Sequence, residues 1–187
     1  MIQEKDAYLD TGCYGGDRHC NAFVHVSRTI ALGAAINLTS TVGGDQFDIT
    51  IQIWKDRISG DWWLGLGKSP VRVGYWPSQF FTTLVDHAMM VQWGGEVYRH
   101  TPNTSTILQM GSGEYADKGF GKAAYFCNIE IAQHNRTFLP IQNFHGGFTP
   151  GSSYTSMATN STASGNYFYY GGPGPVPVPV PSASPGP

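Results

Sequence analysis

Hydrophobic and polar residues alternate most clearly in the segment that begins at Phe47. Every second residue from Phe47 to Ile53 is apolar, and the residues between them are polar. A period of two residues places the apolar side chains on one face of a β-strand. The polar run from Lys55 to Asp61 predicts a turn, and Trp62 to Leu66 predicts a second strand that completes a hairpin.

Short strands and Gly-rich turns dominate the rest of the pattern. Pro77 to His87 is the one segment with helical spacing, since its apolar residues recur at i, i+1, i+4 and i+5. Phe144 to Gly165 is rich in Gly, Ser, Thr and Asn and predicts a long loop. These elements predict an all-β fold, a β-sandwich or barrel with one short helix. Further strands are predicted at Ala22 to Val26, Thr29 to Ile36, Val71 to Trp76, Thr106 to Met110, Ala123 to Ile131 and Tyr167 to Tyr170.

The segment Met89 to Val97 carries the strongest candidate for chemistry. As a central strand, paired with Thr106 to Met110, it places Gln92, Gly94 and Glu96 on one face. Glycine inside a strand is tolerated where a ligand or another backbone approaches closely. Two glycines before a carboxylate therefore indicate an open path to Glu96.

Composition and charge exclude several classes of partner. Charged residues make up 13% of the chain, about half the usual share, and the formal net charge is −2. Lys and Arg form no cluster that would attract nucleic acid or anionic lipid. No apolar run approaches the roughly 20 residues of a membrane span. Neither a nucleic acid nor a membrane partner is predicted, and the pattern gives no oligomeric state.

Glycosylation sequons point to an exported protein. Four Asn-X-Ser/Thr motifs begin at Asn37, Asn103, Asn135 and Asn160. The first residues have neither the basic start nor the apolar centre of a signal peptide. We therefore expect secretion to an extracellular location, with the signal upstream of Met1.

Two cysteines bracket a turn-rich loop near the start of the chain. In an oxidising compartment, a disulfide between Cys13 and Cys20 would contribute about 2.5 kcal/mol. A metal site formed with His19 and His25 is the alternative, but the spacing matches no zinc motif. Neither a metal nor another cofactor is predicted, and Cys127 is expected to be a buried thiol.

Composition divides the chain into three parts. Residues 1–10 are a polar N-terminal remnant, residues 11–172 form the β-domain, and residues 173–187 are rich in proline. The last part contains the repeat Pro-Val-Pro-Val-Pro-Val-Pro, which cannot donate the hydrogen bonds of a β-ladder. It predicts a polyproline II or disordered tail.

Ten short motifs follow one another along the chain: Gly12-Cys13-Tyr14, Ile30-Ala31-Leu32-Gly33-Ala34-Ala35-Ile36, Gln46-Phe47-Asp48-Ile49, Ile53-Trp54-Lys55-Asp56, Trp62-Trp63-Leu64, Val73-Gly74-Tyr75-Trp76-Pro77, Val91-Gln92-Trp93-Gly94-Gly95-Glu96-Val97, Gln109-Met110-Gly111-Ser112-Gly113, Gly119-Phe120-Gly121-Lys122-Ala123 and Tyr167-Phe168-Tyr169-Tyr170-Gly171-Gly172-Pro173-Gly174. In sequence and order they resemble the neprosin family of plant proteins. The resemblance implies a secreted antiparallel β-sandwich of two packed sheets. It also implies a glutamic peptidase that cleaves polypeptides after proline at acid pH.

The catalytic machinery of that family is a pair of glutamates, and the resemblance covers only one of them. The second glutamate lies in the Gly-Gly-Glu motif, which corresponds to Glu96. The first precedes the Gly-Cys-Tyr motif, where this sequence has Glu4, Asp6 and Asp10 in unrelated surroundings. We therefore expect a domain truncated at its N-terminus and inactive as written, because peptide hydrolysis by carboxylates needs one ionised and one protonated group.

Four further residues near Glu96 are candidates for substrate binding. Gln92 and Trp93 adjoin it along the segment, and Gln109 and Tyr115 are expected across the hairpin, where an amide could act as an oxyanion donor. A serine triad built on Ser112 lacks the strand-turn-helix context of a nucleophile elbow. The alternative function is a non-catalytic secreted β-sandwich that binds glycan or a proline-rich polypeptide through exposed aromatic residues.

Overall fold

The computed structural model of the chain describes residues 22–97, 108–132, 137–141, 145–147, 152–160 and 165–175. These residues fall into two compact units. The first comprises the described residues up to Ser40 together with Gln46–Val91, and the second comprises Thr41–Asp45 and the described residues from Gln92 onward. Every strand pairing in both units is antiparallel in the described part of the chain.

The first unit contains one four-stranded sheet. Its strands are β1 (Val24–His25), β2 (Ile51–Lys55), β3 (Trp62–Leu66) and β4 (Val71–Trp76), in the order β1-β4-β3-β2. The predicted β2–β3 hairpin is confirmed, with Ile51 opposite Leu66 and Lys55 opposite Trp62. A bulge at Leu64 and Gly65 shifts the register of β3 against β4.

The turn between β2 and β3 is held by one carboxylate. The backbone N–H groups of Ile58 and Ser59 donate to Asp56 Oδ1 at 2.9 and 3.0 Å. These backbone hydrogen bonds, with that from Ser59 the stronger influence, hold the pKa of Asp56 below its usual value. Gly60 adopts a φ of 77° and closes the turn through its N–H to the Asp56 carbonyl.

The second unit contains a three-stranded sheet and a separate hairpin. β5 (Ala124–Phe126), β9 (Asn166–Gly171) and β8 (Thr155–Asn160) form the sheet in the order β5-β9-β8. β6 (Glu130–Ala132) pairs with β7 (Phe138–Pro140). Because β9 lies between two strands, its backbone is paired on both sides.

Each face of the β5-β9-β8 sheet covers its own apolar cluster. On one face, Tyr169 packs with Ala116 and Ala123. On the other, Phe168 packs with Ile129 and Ile141, which lie beside the β6–β7 hairpin. The aromatic run of β9 is therefore buried from both sides, as the alternation of side chains along a strand requires.

The predicted fold class, all-β with antiparallel sheets, is confirmed, but several predicted elements are wrong. The helix over Pro77 to His87 forms only one 3-10 turn, Ser78–Phe80, after which Phe81 is extended. The β-branched Thr82 and Thr83 disfavour helix, and the carbonyl of Leu84 accepts a hydrogen bond from Trp62 Nε1 at 3.0 Å. No helix in the described ranges is long and apolar enough to cross a membrane.

The predicted strand from Thr29 to Ile36 is a series of turns with exposed apolar side chains. Gly33, at a φ of 74°, breaks the extended backbone there. The strand predicted from Phe47 begins only at Ile51, because the residues before Ile51 have no partner strand among those described.

Two strand predictions in the second unit also change. The strand from Ala123 to Ile131 divides into β5 and β6, because Asn128 takes a left-handed φ of 51° between them. The predicted loop from Phe144 to Gly165 contains β8, whose Ser and Thr residues hide the strand pattern. Six register pairs with β9 define β8 nevertheless.

Candidate functional site

The Gly-Gly-Glu segment, residues 92–97, contacts the β5-β9-β8 sheet, but it is not a strand. The described residues from 88 to 97 have irregular backbone, so the predicted central strand is wrong. Its predicted partner, Thr106 to Met110, is described only in part, and Met110 forms an isolated bridge with Gly172 instead. Contacts of Trp93 and Gly95 nevertheless hold this irregular segment in place.

Trp93 fixes the start of the segment. Its partly buried indole packs against the cluster of Ile129, Ile141 and Phe168, together with Phe126 and Tyr170. An aromatic side chain buries a large apolar area, so this contact ties the segment to one face of β9. Trp93 was predicted to bind substrate, and the structure gives it a packing role.

Gly95 makes the closest contact in the segment. A Cβ atom at this position would lie 2.8 Å from Cγ of Met110, 2.8 Å from Cε2 of Tyr170 and 2.9 Å from Sδ of Met110. Only glycine leaves room for these two side chains against the backbone. A Cβ atom added to Gly94, by contrast, would have no atom within 4 Å. The two adjacent glycines therefore do different things, since Gly95 permits packing and Gly94 leaves open space.

Glu96 follows Gly95 directly, and its side chain is exposed to solvent. The backbone before it is fixed by Gly95 and Trp93, so the position of Cα in Glu96 is set by packing with the β5-β9-β8 sheet. The arrangement presents a carboxylate to water from a supported backbone.

The support beneath Gly95 is itself closely packed. Met110 exchanges two backbone hydrogen bonds with Gly172, at 3.0 and 3.3 Å. A Cβ on Gly171 would lie 2.6 Å from the Glu114 carbonyl oxygen and 2.8 Å from that of Met110. Burial raises the pKa of Tyr170, whose ring contacts Gly95. The glycines of Tyr170-Gly171-Gly172 thus allow the backbone to pack closely near Glu96.

The remaining predicted site residues are distributed around this support. Gln92 is exposed at the start of the segment. Gln109 is exposed and lies over Gly113, where a Cβ would be 3.0 Å from Cδ of Gln109. Gln109 precedes Met110 in sequence, and Met110 is the residue that contacts Gly95.

Tyr115 lines a shallow depression of about 460 Å³, together with Ala116, Asp117, Thr155, Ser156 and Met157. Its neighbour Ala116 packs on Tyr169, whereas Gly95 packs on Tyr170. Consecutive residues of a strand point to opposite faces, so these two contacts lie on opposite faces of β9. The sequence does not predict that Asp117 and Thr155 line one depression, because no local pattern places β8 beside the 3-10 turn Ala116–Lys118.

Several predicted sites lie outside the described residues, namely Cys13, Cys20, Asn103 and Asn135. Asn37 is described and exposed, and its Oδ1 accepts the backbone N–H of Leu38 at 2.9 Å. Asn160 is the last residue of β8.

Cys127 is a partly buried thiol that accepts a weak hydrogen bond from Asn128 Nδ2 at 3.8 Å. His25, considered above as a metal ligand, directs its Nε2 at the Ile30 carbonyl at 2.7 Å. Among the described residues, no three His, Cys, Asp or Glu side chains come together in a way that could hold a metal ion.

A protein-family model matches most of this chain. The family model described as Neprosin matches residues 1–173. The matched range includes the first unit, the second unit as far as residue 173 and the whole Gly-Gly-Glu segment. Because the match extends over most of the chain, the protein belongs to the neprosin family.

Proposed function

We propose that this protein is a glutamic endopeptidase domain that hydrolyses polypeptides after proline at acid pH, and that Glu96 is one of its two catalytic carboxylates. The observation that carries the proposal is the packing of Gly95 on Met110 and Tyr170, which holds the exposed Glu96 on a supported backbone. Membership of the neprosin family supports the same class of activity.

The chemistry assigns one role to each carboxyl group. One ionised carboxylate takes a proton from water, and one protonated carboxyl donates to the carbonyl oxygen or the leaving amine. Two neighbouring acids acquire different pKa values because they cannot both ionise easily, and they titrate as a pair. Glu96 alone cannot hold both roles. The 187 residues lack a glutamate that matches the first of the pair, so we propose that they are inactive on their own.

The test compares the 187-residue chain with the natural protein, whose N-terminus is determined by mass spectrometry. Both are incubated with a proline-containing peptide at mildly acid pH, and the products are identified by mass. We expect cleavage after proline by a form that also carries the first glutamate of the pair, and no cleavage by the 187 residues alone.

Substitutions in the active form then test Glu96 itself. Glu96→Gln keeps the size of the side chain and removes the titrating group, so we expect cleavage to fall at least a hundredfold, in line with the loss of a general acid or base. Glu130→Gln is the matched control, because Glu130 is an exposed glutamate on β6 of the same unit. Cleavage that persists in Glu96→Gln contradicts the role of Glu96.

We further propose that the protein is secreted, with a Cys13–Cys20 disulfide and glycans at Asn37, Asn103, Asn135 and Asn160. Four sequons and the exposed side chain of Asn37 support this proposal. Peptide mapping of the natural protein, with and without reduction and glycosidase treatment, checks each site. Unmodified asparagines together with two free thiols at positions 13 and 20 would contradict it.

A further inference from the structure

β2 forms one edge of the four-stranded sheet in the first unit. In the order β1-β4-β3-β2 it pairs with β3, and its other side has no partner strand among the described residues. The opposite edge, β1, is two residues long, whereas β2 has five. Charged side chains and proline normally protect a sheet edge from pairing with another chain. Neither occurs between Ile49 and Ile53, where the sequence reads Ile-Thr-Ile-Gln-Ile.

The ladder with β3 determines which backbone groups of β2 reach this edge. The N–H of Gly67 donates to the carbonyl oxygen of Thr50 at 2.8 Å. Residues along an antiparallel strand alternate in the side to which they direct their N–H and C=O groups, so Gln52 also directs its groups at β3. The groups of Ile51 and Ile53 therefore point to the unpaired side. Neither isoleucine has a hydrogen-bond partner there within the described ranges.

The same isoleucines expose apolar side chains along the edge. Ile51 is 52% exposed and Ile53 is 39% exposed, and Ile49, two residues earlier, is 55% exposed. Ile51 and Ile53 lie opposite Leu66 and Leu64 of β3, so they continue an apolar face of the sheet to its border. We call Ile49, Ile51 and Ile53 the edge isoleucines.

A serine hydroxyl marks one end of the unpaired edge. Ser40 Oγ accepts the N–H of Phe47 at 2.8 Å, and its O–H donates to the carbonyl oxygen of Phe47 at 3.1 Å. Both backbone groups that a neighbouring strand would use at Phe47 are thus occupied. Pairing with another strand can therefore begin only after this residue.

We propose that the edge isoleucines pair with those of a second copy of this chain, antiparallel, with Ile51 opposite Ile51 of the second copy. A two-fold dimer requires a surface that complements itself. This register meets the requirement, because Ile49 then lies opposite Ile53 of the second copy and isoleucine meets isoleucine in all three pairs. Each pair exchanges two backbone hydrogen bonds, so six bonds join the copies. Between these pairs, Thr50 lies opposite Gln52.

The charged residues that flank the edge favour this register over the next one. A shift that brings Ile51 opposite Ile53 would place Asp48 opposite Asp56 of the second copy, at both ends of the ladder. Like charges directly opposite each other destabilise a strand pair. In the proposed register, Asp48 lies opposite Trp54, and no two like charges between residues 46 and 56 face each other.

The length of the ladder predicts a weak dimer. A stable interface of standard size buries about 1,600 Å², and a ladder of three residue pairs buries less. We expect a dissociation constant on the order of 10 µM. The inference rests on the first unit alone and does not depend on the proposed catalysis by Glu96.

Two measurements on the full 187-residue chain test the dimer and its location. Sedimentation equilibrium, at concentrations from below to well above the expected dissociation constant, measures association. Amide hydrogen exchange by NMR locates it, because the N–H groups of Ile51 and Ile53 gain acceptors in the dimer and should exchange severalfold more slowly at high concentration. The N–H of Gln52 already donates to β3, so its exchange should change little.

A charge at the centre of the ladder should prevent pairing. Ile51→Lys brings two ammonium groups opposite each other and removes an isoleucine pair, so we expect a dissociation constant raised about tenfold or more. Ile58→Lys is the matched control, because Ile58 is 98% exposed in the β2–β3 turn, outside the edge. It should associate like the parent. Equal thermal midpoints at low concentration establish that both variants are folded.

Complementary charges test the register without altering Ile51. Ile49→Lys and Ile53→Glu each disrupt isoleucine pairs, so each alone should associate severalfold more weakly. Mixed in equal amounts, they should recover association as a heterodimer, because the introduced ammonium group then lies opposite the introduced carboxylate. A mixture of Ile49→Lys with Ile49→Glu places the two charges at opposite ends of the ladder and should not recover it.

Three outcomes overturn the proposal. The first is a chain that sediments as a monomer well above the expected dissociation constant. The second is a dimer that Ile51→Lys does not weaken and in which the N–H groups of Ile51 and Ile53 gain no protection, since another surface then forms the contact. The third is equal recovery in both mixtures, which would exclude the register.

Discussion

At the scale of single residues, the two glycines before Glu96 show how neighbouring positions of one type take on different functions. Gly95 is in close contact with Met110 and Tyr170, and Gly94 faces open space. The sequence predicts that Glu96 is accessible, and its exposure agrees with that prediction. It does not predict the contacts of Gly95, because Met110 and Tyr170 are distant in sequence and are brought together where Met110 bridges Gly172.

Substitution of the two glycines should therefore give unequal results. Gly95→Ala introduces a Cβ that would lie 2.8 Å from both Met110 and Tyr170, and overpacking of this kind lowers the free energy of unfolding by about 1–3 kcal/mol. Gly94→Ala should change it by less than about 0.5 kcal/mol, as is usual for an unobstructed surface position. Urea unfolding of both variants measures the difference. Equal destabilisation would show that Gly95 does not pack as described.

At the scale of secondary-structure elements, the local sequence pattern predicts the β2–β3 hairpin correctly. It does not predict elements whose structure depends on contacts between residues distant in sequence. The β2–β3 hairpin and β4 follow from alternation and turn residues, and β4 has the predicted bounds Val71–Trp76. β8 is missed because its Ser and Thr residues resemble a loop, although pairing with β9 makes it a strand. The helix predicted after Pro77 fails because Phe81 turns extended and Leu84 is used by Trp62.

The β2–β3 turn gives a pH-dependent prediction. The pKa of Asp56 is lower in the folded state than its ordinary value of 3.8. Its carboxylate therefore stabilises the folded state at pH values above about 3.8, and this contribution is lost as the pH falls further. Asp56→Asn keeps an oxygen acceptor for Ile58 and Ser59 without titrating. The parent should exceed this variant in stability at pH 6, and the difference should shrink at pH 2.5, as measured by urea unfolding. A difference that does not change with pH would exclude this role of the carboxylate.

At the scale of the whole molecule, composition and alternation establish the all-β class, and the family match over residues 1–173 agrees with the order of the motifs. The division into two compact units is not visible in the sequence. Residues 41–45 belong to the second unit while their neighbours on both sides belong to the first. The membership of these five residues in the second unit depends on contacts with residues distant in sequence. The periodicity of the local sequence therefore cannot reveal it.

The buried Tyr169 and the partly buried Tyr170 of β9 predict a loss of stability in alkali. Burial raises the pKa values of Tyr169 and Tyr170 above their ordinary value of 10.0. In the unfolded chain both ionise near pH 10, whereas the folded state keeps them neutral. Stability is therefore unaffected by these groups below pH 10 and falls as the pH rises above it. Urea midpoints at pH 8 and pH 11 measure the loss.

The double variant Tyr169→Phe with Tyr170→Phe is the control for this effect. Phenylalanine keeps the rings in both apolar clusters and cannot ionise. The midpoint of the double variant should fall less between pH 8 and pH 11 than that of the parent. An equal fall would assign the alkaline sensitivity to other groups.

The position of β9 has a mechanical consequence. This strand lies between β5 and β8, in three and six register pairs respectively, and the chain leaves the sheet just after it, at Pro173. A pull on the C-terminal end enters this sheet through its central strand, and the ladders to β5 and β8 resist it together in shear. A molecule tethered by that end would thus transmit force into a strand that is paired on both sides, and Gly95 of the Gly-Gly-Glu segment contacts the same strand.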